Sequence, residues 1–186
     1  MNAPGAKGNA VRLFFALWPG EPVRSSLAAA AVTVPFAAGA RVVRRENYHL
    51  TVAFVGEVPA DSLERVRLIG RESRASVFAI NFDAYEYWPK PEVVVAAART
   101  IAPALQALWA ELHQALADDG FELRVKNLRP HVTLAQRVAE APQLPPLRPF
   151  TWPARELCLL RSDTGATRRV YTVVDTWSLL DKHVRD

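Results

Sequence analysis

Cysteine is almost missing from this chain of 186 residues: Cys158 stands alone in the apolar run Leu157-Cys158-Leu159-Leu160. One thiol excludes an internal disulfide and a cysteine-based zinc site, and it suits a reducing, cytoplasmic setting. Also missing is any run near the ~20 apolar residues of a membrane span. The early patch Leu13-Phe14-Phe15-Ala16-Leu17-Trp18 is short and is stopped by Pro19-Gly20, so it reads as a strand and not as a signal peptide. There is no P-loop, HExxH helix, GxSxG elbow or CxxC pair, which excludes the chemistries those motifs carry. Excess charge is small: 23 Lys plus Arg against 19 Asp plus Glu, a net charge of +4. That balance mildly favours an anionic ligand such as a nucleotide or RNA. With 50% of residues hydrophobic, the chain is not disordered, and its length fits one domain or two fused half-size lobes.

What is present is a repeated strand. Asn47-Tyr48-His49-Leu50-Thr51-Val52-Ala53-Phe54-Val55-Gly56 is echoed by Arg129-Pro130-His131-Val132-Thr133-Leu134-Ala135. Side chains alternate along a strand, so residues i and i+2 share a face about 6.6 Å apart. His49 therefore shares a face with Thr51, and His131 with Thr133. Regular alternation sends Leu50, Val52 and Phe54, and likewise Val132 and Leu134, to the opposite, core face. An unusual strand recurring in both halves suggests two similar lobes, with two imidazoles across a cleft.

The remaining elements follow from punctuation and periodicity. Residues 1–10, rich in Gly, Ala, Asn and Pro, are expected to be a mobile tail ahead of one bilobed domain over 11–180. Arg12–Trp18 reads as the first strand. Pro22 opens a helix carrying Val23, Leu27 and Ala30, which Pro35 ends. Arg41–Arg45 is a short basic segment, and Gly56 is expected to end the first His strand. Asp61-Ser62-Leu63-Glu64 has the form of a capping box for a helix to about Arg74. Residues 77–82 and 93–96 read as strands flanking the turn Trp88-Pro89-Lys90-Pro91, a hairpin. From Thr100, the stripe Ile101, Leu105, Leu108, Leu112 and Leu116 marks the clearest helix, closed by Gly120. The second His strand, at 130–138, leads into a proline-rich connector, 142–153, then strands at 157–161 and 169–177 around a turn at 163–165. Strand, helix, strand occurs in both halves, which gives an α+β chain with two βαββ-like lobes whose sheets face each other.

His113 falls off the apolar stripe and reads as a surface residue; His183 lies in the charged tail. His49 and His131 are different, each the only ionisable group on a strand face shared with a Thr. Imidazole, with a pKa of about 6.5, exists in both protonation states near neutrality, so a facing pair suits general acid–base catalysis. In-line displacement at phosphorus needs such a pair, one group for the nucleophile and one for the leaving group, while Thr hydroxyls donate to non-bridging oxygens. That design needs no metal or other cofactor. A metal site on the two His would need a third ligand, and no Asp or Glu shares either predicted face.

His49-Leu50-Thr51-Val52 and His131-Val132-Thr133-Leu134 resemble the paired HxTx motifs of the two-histidine (2H) phosphoesterases. Arg12 to Pro19, Asn47 to Gly56 and the closing Tyr171-Thr172-Val173-Val174 are similar to the branch of RNA 2′,3′-cyclic phosphodiesterases, also called 2′-5′ RNA ligases. The resemblance implies a bilobed 2H fold with a central cleft, and metal-independent hydrolysis of RNA 2′,3′-cyclic phosphate ends to a 2′-phosphate. It implies His49 as proton donor to the departing 3′ oxygen, His131 as proton acceptor from water, and Thr51 and Thr133 as phosphate contacts. Members commonly carry an Arg five residues beyond the second His, where this chain has Gln136. Regular alternation would put Arg137 on the His131 face instead, making Arg137 the candidate phosphate-binding cation and Arg129 a second. Trp88 and Tyr48 are candidates for stacking on a base. Two rivals stand beside hydrolysis: forming or cleaving a 2′-5′ linkage, and binding RNA ends without turnover. The chain is expected to act as a cytoplasmic monomer away from membranes.

Overall fold

The computed structural model describes residues 10–123, 127–164 and 169–180. Residues 1–9 of the expected tail, the tip of the last turn and His183 lie outside them, and Ala10 already belongs to the first strand. Among the described residues, ten strands, β1 (Ala10–Leu17), β2 (Arg41–Val42), β3 (Leu50–Pro59), β4 (Phe78–Phe82), β5 (Ala84–Trp88), β6 (Val93–Ala97), β7 (His131–Gln136), β8 (Phe150–Ala154), β9 (Glu156–Thr164) and β10 (Arg169–Ser178), combine with three α-helices, α1 (Glu21–Thr33), α2 (Leu63–Glu72) and α3 (Pro103–Asp118).

Two four-stranded sheets carry the two motifs. The first runs β10-β9-β1-β3 and the second β2-β7-β6-β5; β4 and β8 pair separately. All the pairings within them are antiparallel. The lobes are not contiguous halves of the chain. The last two strands complete the first sheet, and β2, from the first half, edges the second. Helices cross over too: α1 follows β1 yet packs against β7 and β8, and α3, which links β6 to β7, packs against β3. One continuous apolar core results, joining Leu13, Phe15 and Leu17 of β1 to Leu27 of α1, Leu105, Leu108, Leu112 and Leu116 of α3, and Val132 and Leu134 of β7.

Several local expectations are corrected. The hairpin across Trp88–Pro91 is made by β5 and β6, while β4 pairs with β8. Asp83, between β4 and β5, turns the chain there and accepts from the Arg99 N–H, so two strands lie where one was read. The connector accordingly ends at Phe150, because Thr151 and Trp152 zip onto Asn81 and Ile80. The capping box does not form: Ser62 has helical backbone (φ −78°, ψ −7°) at the end of a 3-10 turn and makes no capping bond. Likewise α3 begins after Ala102 with Pro103 in its first turn, not from a Thr100 cap. Gly120, in the left-handed region at φ 85°, closes α3.

Gly56 does not end β3. It adopts φ 95° inside the strand, where the register against β1 slips between Leu13 and Phe14, and pairing continues to Pro59. A residue without Cβ absorbs that bulge at little cost.

Candidate active site

Bulges decide which residues face the cleft. In β3 the register slips again between Phe15 and Ala16, so Val52 and Ala53 are both buried and the alternation restarts one residue late. Phe54 is therefore not a core residue as regular alternation predicts; it is 45% exposed and lines the cleft with His49 and Thr51. β7 does the same. Its register against β6 slips between Val94 and Val95, Leu134 and Ala135 are both buried, and Gln136 pairs with Val93 on the face of His131 and Thr133. Alternation alone predicts Arg137 there. Arg137 instead leaves the strand with a left-handed backbone, φ 56°, and reaches the same cleft from beyond it.

The cleft between the sheets has a volume of about 1020 Å³ and is lined by both His, both Thr, Phe14, Phe54, Gln136, Ser162 and Tyr171. Arg12, Arg41, Arg44 and Arg137 line it as well, against one carboxylate, Glu92, among the described residues. Among the described residues, Arg12, Arg41 and Arg137 make no ion pair, and Arg44 makes only an exposed one with Glu46 at 3.6 Å. A cleft so furnished has a positive potential suited to phosphates. The sequence signalled Arg41 and Arg44 only as part of a basic segment, Arg12 and Tyr171 only as ends of segments that carry the resemblance, and nothing marked Ser162.

Each imidazole is held the same way. His49 Nδ1–H donates to the Asn47 carbonyl at 2.7 Å, and His131 Nδ1–H donates to the Arg129 carbonyl at 2.6 Å. Both carbonyls sit two residues upstream, so the ring tautomer is set by the backbone and Nε2 is left for chemistry. The surroundings differ. His49 lies in an aromatic box, 4.8 Å from Tyr171, 5.2 Å from Phe14 and stacked at 14° on Trp18. His131 rests 4.4 Å from Trp88.

Burial pushes both imidazole pKa values below the ordinary value, because desolvation penalises the cation. The carbonyl bonds oppose this in each; a further lowering comes from His131 at His49 and from Arg129 at His131.

Arg129 is not among the residues that line the cleft; its guanidinium lies over Trp88 at 4.1 Å and pairs with Glu86 at 2.7 Å. Trp88 packs on His131 and donates to Glu86. Tyr48, expected as a base-stacking candidate, is corrected: it is 2% exposed in the core and offers no face to a base. His113 is half-buried on α3, outside the cleft; its Nδ1–H donates to the Trp109 carbonyl at 2.8 Å and its ring packs on that indole. Among the described residues, no three His, Cys, Asp or Glu converge as metal ligands, and no helix is long and apolar enough to cross a membrane.

The architecture is shared with solved proteins. The crystal structure of E. coli LigT complexed with 3′-AMP matches with a TM-score of 0.85 at 27% identity, covering 92% of this chain and 99% of that one. That of TT0787 of Thermus thermophilus matches at 0.82 and 30%, covering 92% and 100%. Two antiparallel sheets, each presenting a His and a Thr to one cleft, make this the 2H phosphoesterase fold. A family model described as the 2′-5′ RNA ligase superfamily matches residues 23–166. The protein called RNA 2′,3′-cyclic phosphodiesterase from Thermus thermophilus is 30% identical over 186 aligned positions, 95% of this chain and 94% of its own. Its namesake from E. coli is 32% identical over 171, covering 90% and 96%. The chain belongs to the 2′-5′ RNA ligase superfamily.

Proposed function

We propose that this protein is an RNA 2′,3′-cyclic 3′-phosphodiesterase that hydrolyses a terminal cyclic phosphate to a 2′-phosphate. The observation that carries the reading is the mirrored pair of His–Thr faces in one arginine-lined cleft, each ring fixed through Nδ1 with Nε2 free. His131 takes the proton of the attacking water, and His49 protonates the departing 3′ oxygen as the P–O3′ bond breaks. Thr51 and Thr133 donate to the non-bridging oxygens, where charge is concentrated in the transition state. Arg129 supports the base role of His131, since a nearby cation favours the neutral imidazole. Arg137 supplies a phosphate-binding cation at the mouth of the cleft.

Run with a 5′-hydroxyl in place of water, the same proton transfers form a 2′-5′ linkage, the reaction in the family's description. Residues 11–180 act as one bilobed unit. The reading has it working as a monomer in a reducing compartment such as the cytoplasm, which the buried free thiol of Cys158 suits; sedimentation checks the first point.

The test is turnover of a short oligoribonucleotide ending in a 2′,3′-cyclic phosphate, in chelator, by wild type, His49→Ala and His131→Ala. Wild type is expected to give the 2′-phosphate, with each variant folded and about 10²–10⁴-fold slower. Binding without conversion by wild type sinks the hydrolase reading. Joining to an added 5′-hydroxyl oligonucleotide in preference to hydrolysis replaces it with the ligase one.

A further inference from the structure

On the cleft face of the second sheet, β6 presents Val93, Val95 and Ala97, which pair with Trp88, Glu86 and Ala84 of β5 on one side. On the other side they pair with Gln136, Thr133 and His131. The small side chain of Ala97 beside His131 leaves room for Trp88 to reach across β6 and touch the imidazole at 4.4 Å. One oxygen, Glu86 Oε2, then accepts from both Trp88 Nε1 and Arg129 Nη2, each at 2.7 Å. The Arg129 guanidinium stacks over the same indole, and the Arg129 backbone carbonyl holds His131 Nδ1–H. Glu86 thus anchors the ring that packs on His131 and the residue whose main chain fixes its tautomer.

We propose that Glu86 is a positioning residue for His131, acting through Trp88 and Arg129 to hold the imidazole and to balance the charge beside it. Two effects are separable. Holding Trp88 needs only an acceptor at Oε2, which an amide retains. Balancing Arg129 needs the negative charge, which an amide loses. With the Glu86 charge removed, Arg129 alone faces His131 and disfavours its protonated form; with the Arg129 charge removed, Glu86 alone favours it. The other charged groups around His131 are His49 across the cleft, Arg12, Arg41, Arg44 and Arg137 along its walls, and Glu92. All of these are common to both variants, so a difference in sign belongs to the Glu86–Arg129 pair.

The inference rests on His131 being the base, and its test separates the two. In kcat/KM against pH, Glu86→Gln is expected to move the acidic limb to lower pH and Arg129→Gln to move it to higher pH. Glu86→Ala, which also releases Trp88, is expected to lose about tenfold in kcat, with Glu86→Gln recovering most of it. NMR titration of the His131 ring in the free protein reads the same opposed shifts without turnover. A wild type that hydrolyses nothing therefore overturns the functional reading, while opposed titrations still uphold this one. Titrations that do not move, or move in the same direction in both variants, overturn it.

Discussion

Phe54 and Gln136 occupy equivalent places: each lies five residues beyond a motif His, and each is carried onto the cleft face by a bulge that buries the two residues before it. The repeat in the sequence is therefore a repeat in backbone defect as well as in residue type. The two sheets depart from regular pleating at the same step, which sets what stands beyond each Thr in the cleft.

Gln136→Arg puts a cation next to Thr133 on the His131 face, and a charged bond to phosphate contributes about 1.5 kcal/mol or more. KM for RNA with a cyclic phosphate end is expected to fall about tenfold, and Arg137→Ala to raise it. An unchanged KM in both variants under steady-state assay would mean that neither side chain meets the phosphate.

Thr51→Val and Thr133→Val keep shape and remove a hydroxyl from the cleft. Each is expected to lower kcat about 10- to 100-fold, the loss of one donor to developing charge, with Tm almost unchanged. A variant that loses stability but keeps kcat would assign that Thr to packing.

The pH dependence follows from burial. Both pKa values lie below the ordinary imidazole range, the donor must hold its proton and the acceptor must be free of one. The kcat/KM bell of the free enzyme is therefore expected on the acidic side of neutrality. Stability runs the other way: the unfolded imidazoles, near 6.5, take up protons that the folded ones resist. Their contribution is complete above about pH 6.5 and is lost as pH falls toward the folded pKa values. Tm measured down from pH 7.5 should drop less steeply in His49→Asn. A bell centred well above pH 7 would contradict this.

Gly70 tests the packing behind the first sheet. A Cβ there would clash with Trp177 Cη2 and Cζ3 and lie 2.9 Å from Cε1 of the fully buried Phe15. Gly70→Ala is expected to destabilise by about 1–3 kcal/mol despite the better helix propensity of alanine. Calorimetry should show Tm down by several degrees, and an unchanged Tm would show that α2 lifts freely from the sheet.

The sequence by itself determined which His and Thr side chains share a face and line the cleft. His49, Thr51, His131 and Thr133 were legible because residues two apart on a strand share a face whatever the rest of the fold does, and the leucine stripe of α3 because periodicity is local. Only the tertiary structure decided what surrounds them. The bulges after Thr51 and Thr133, the reach of Trp88 past Ala97, the Glu86–Arg129 pair and the convergence of Arg12, Arg41, Arg44 and Arg137 all depend on strands far apart in the chain. A bulge is a property of a pair of strands, since one strand's extra residue exists only against a partner's register. No reading of one strand could show that Phe54 turns outward or that Gln136, rather than Arg137, takes the His131 face.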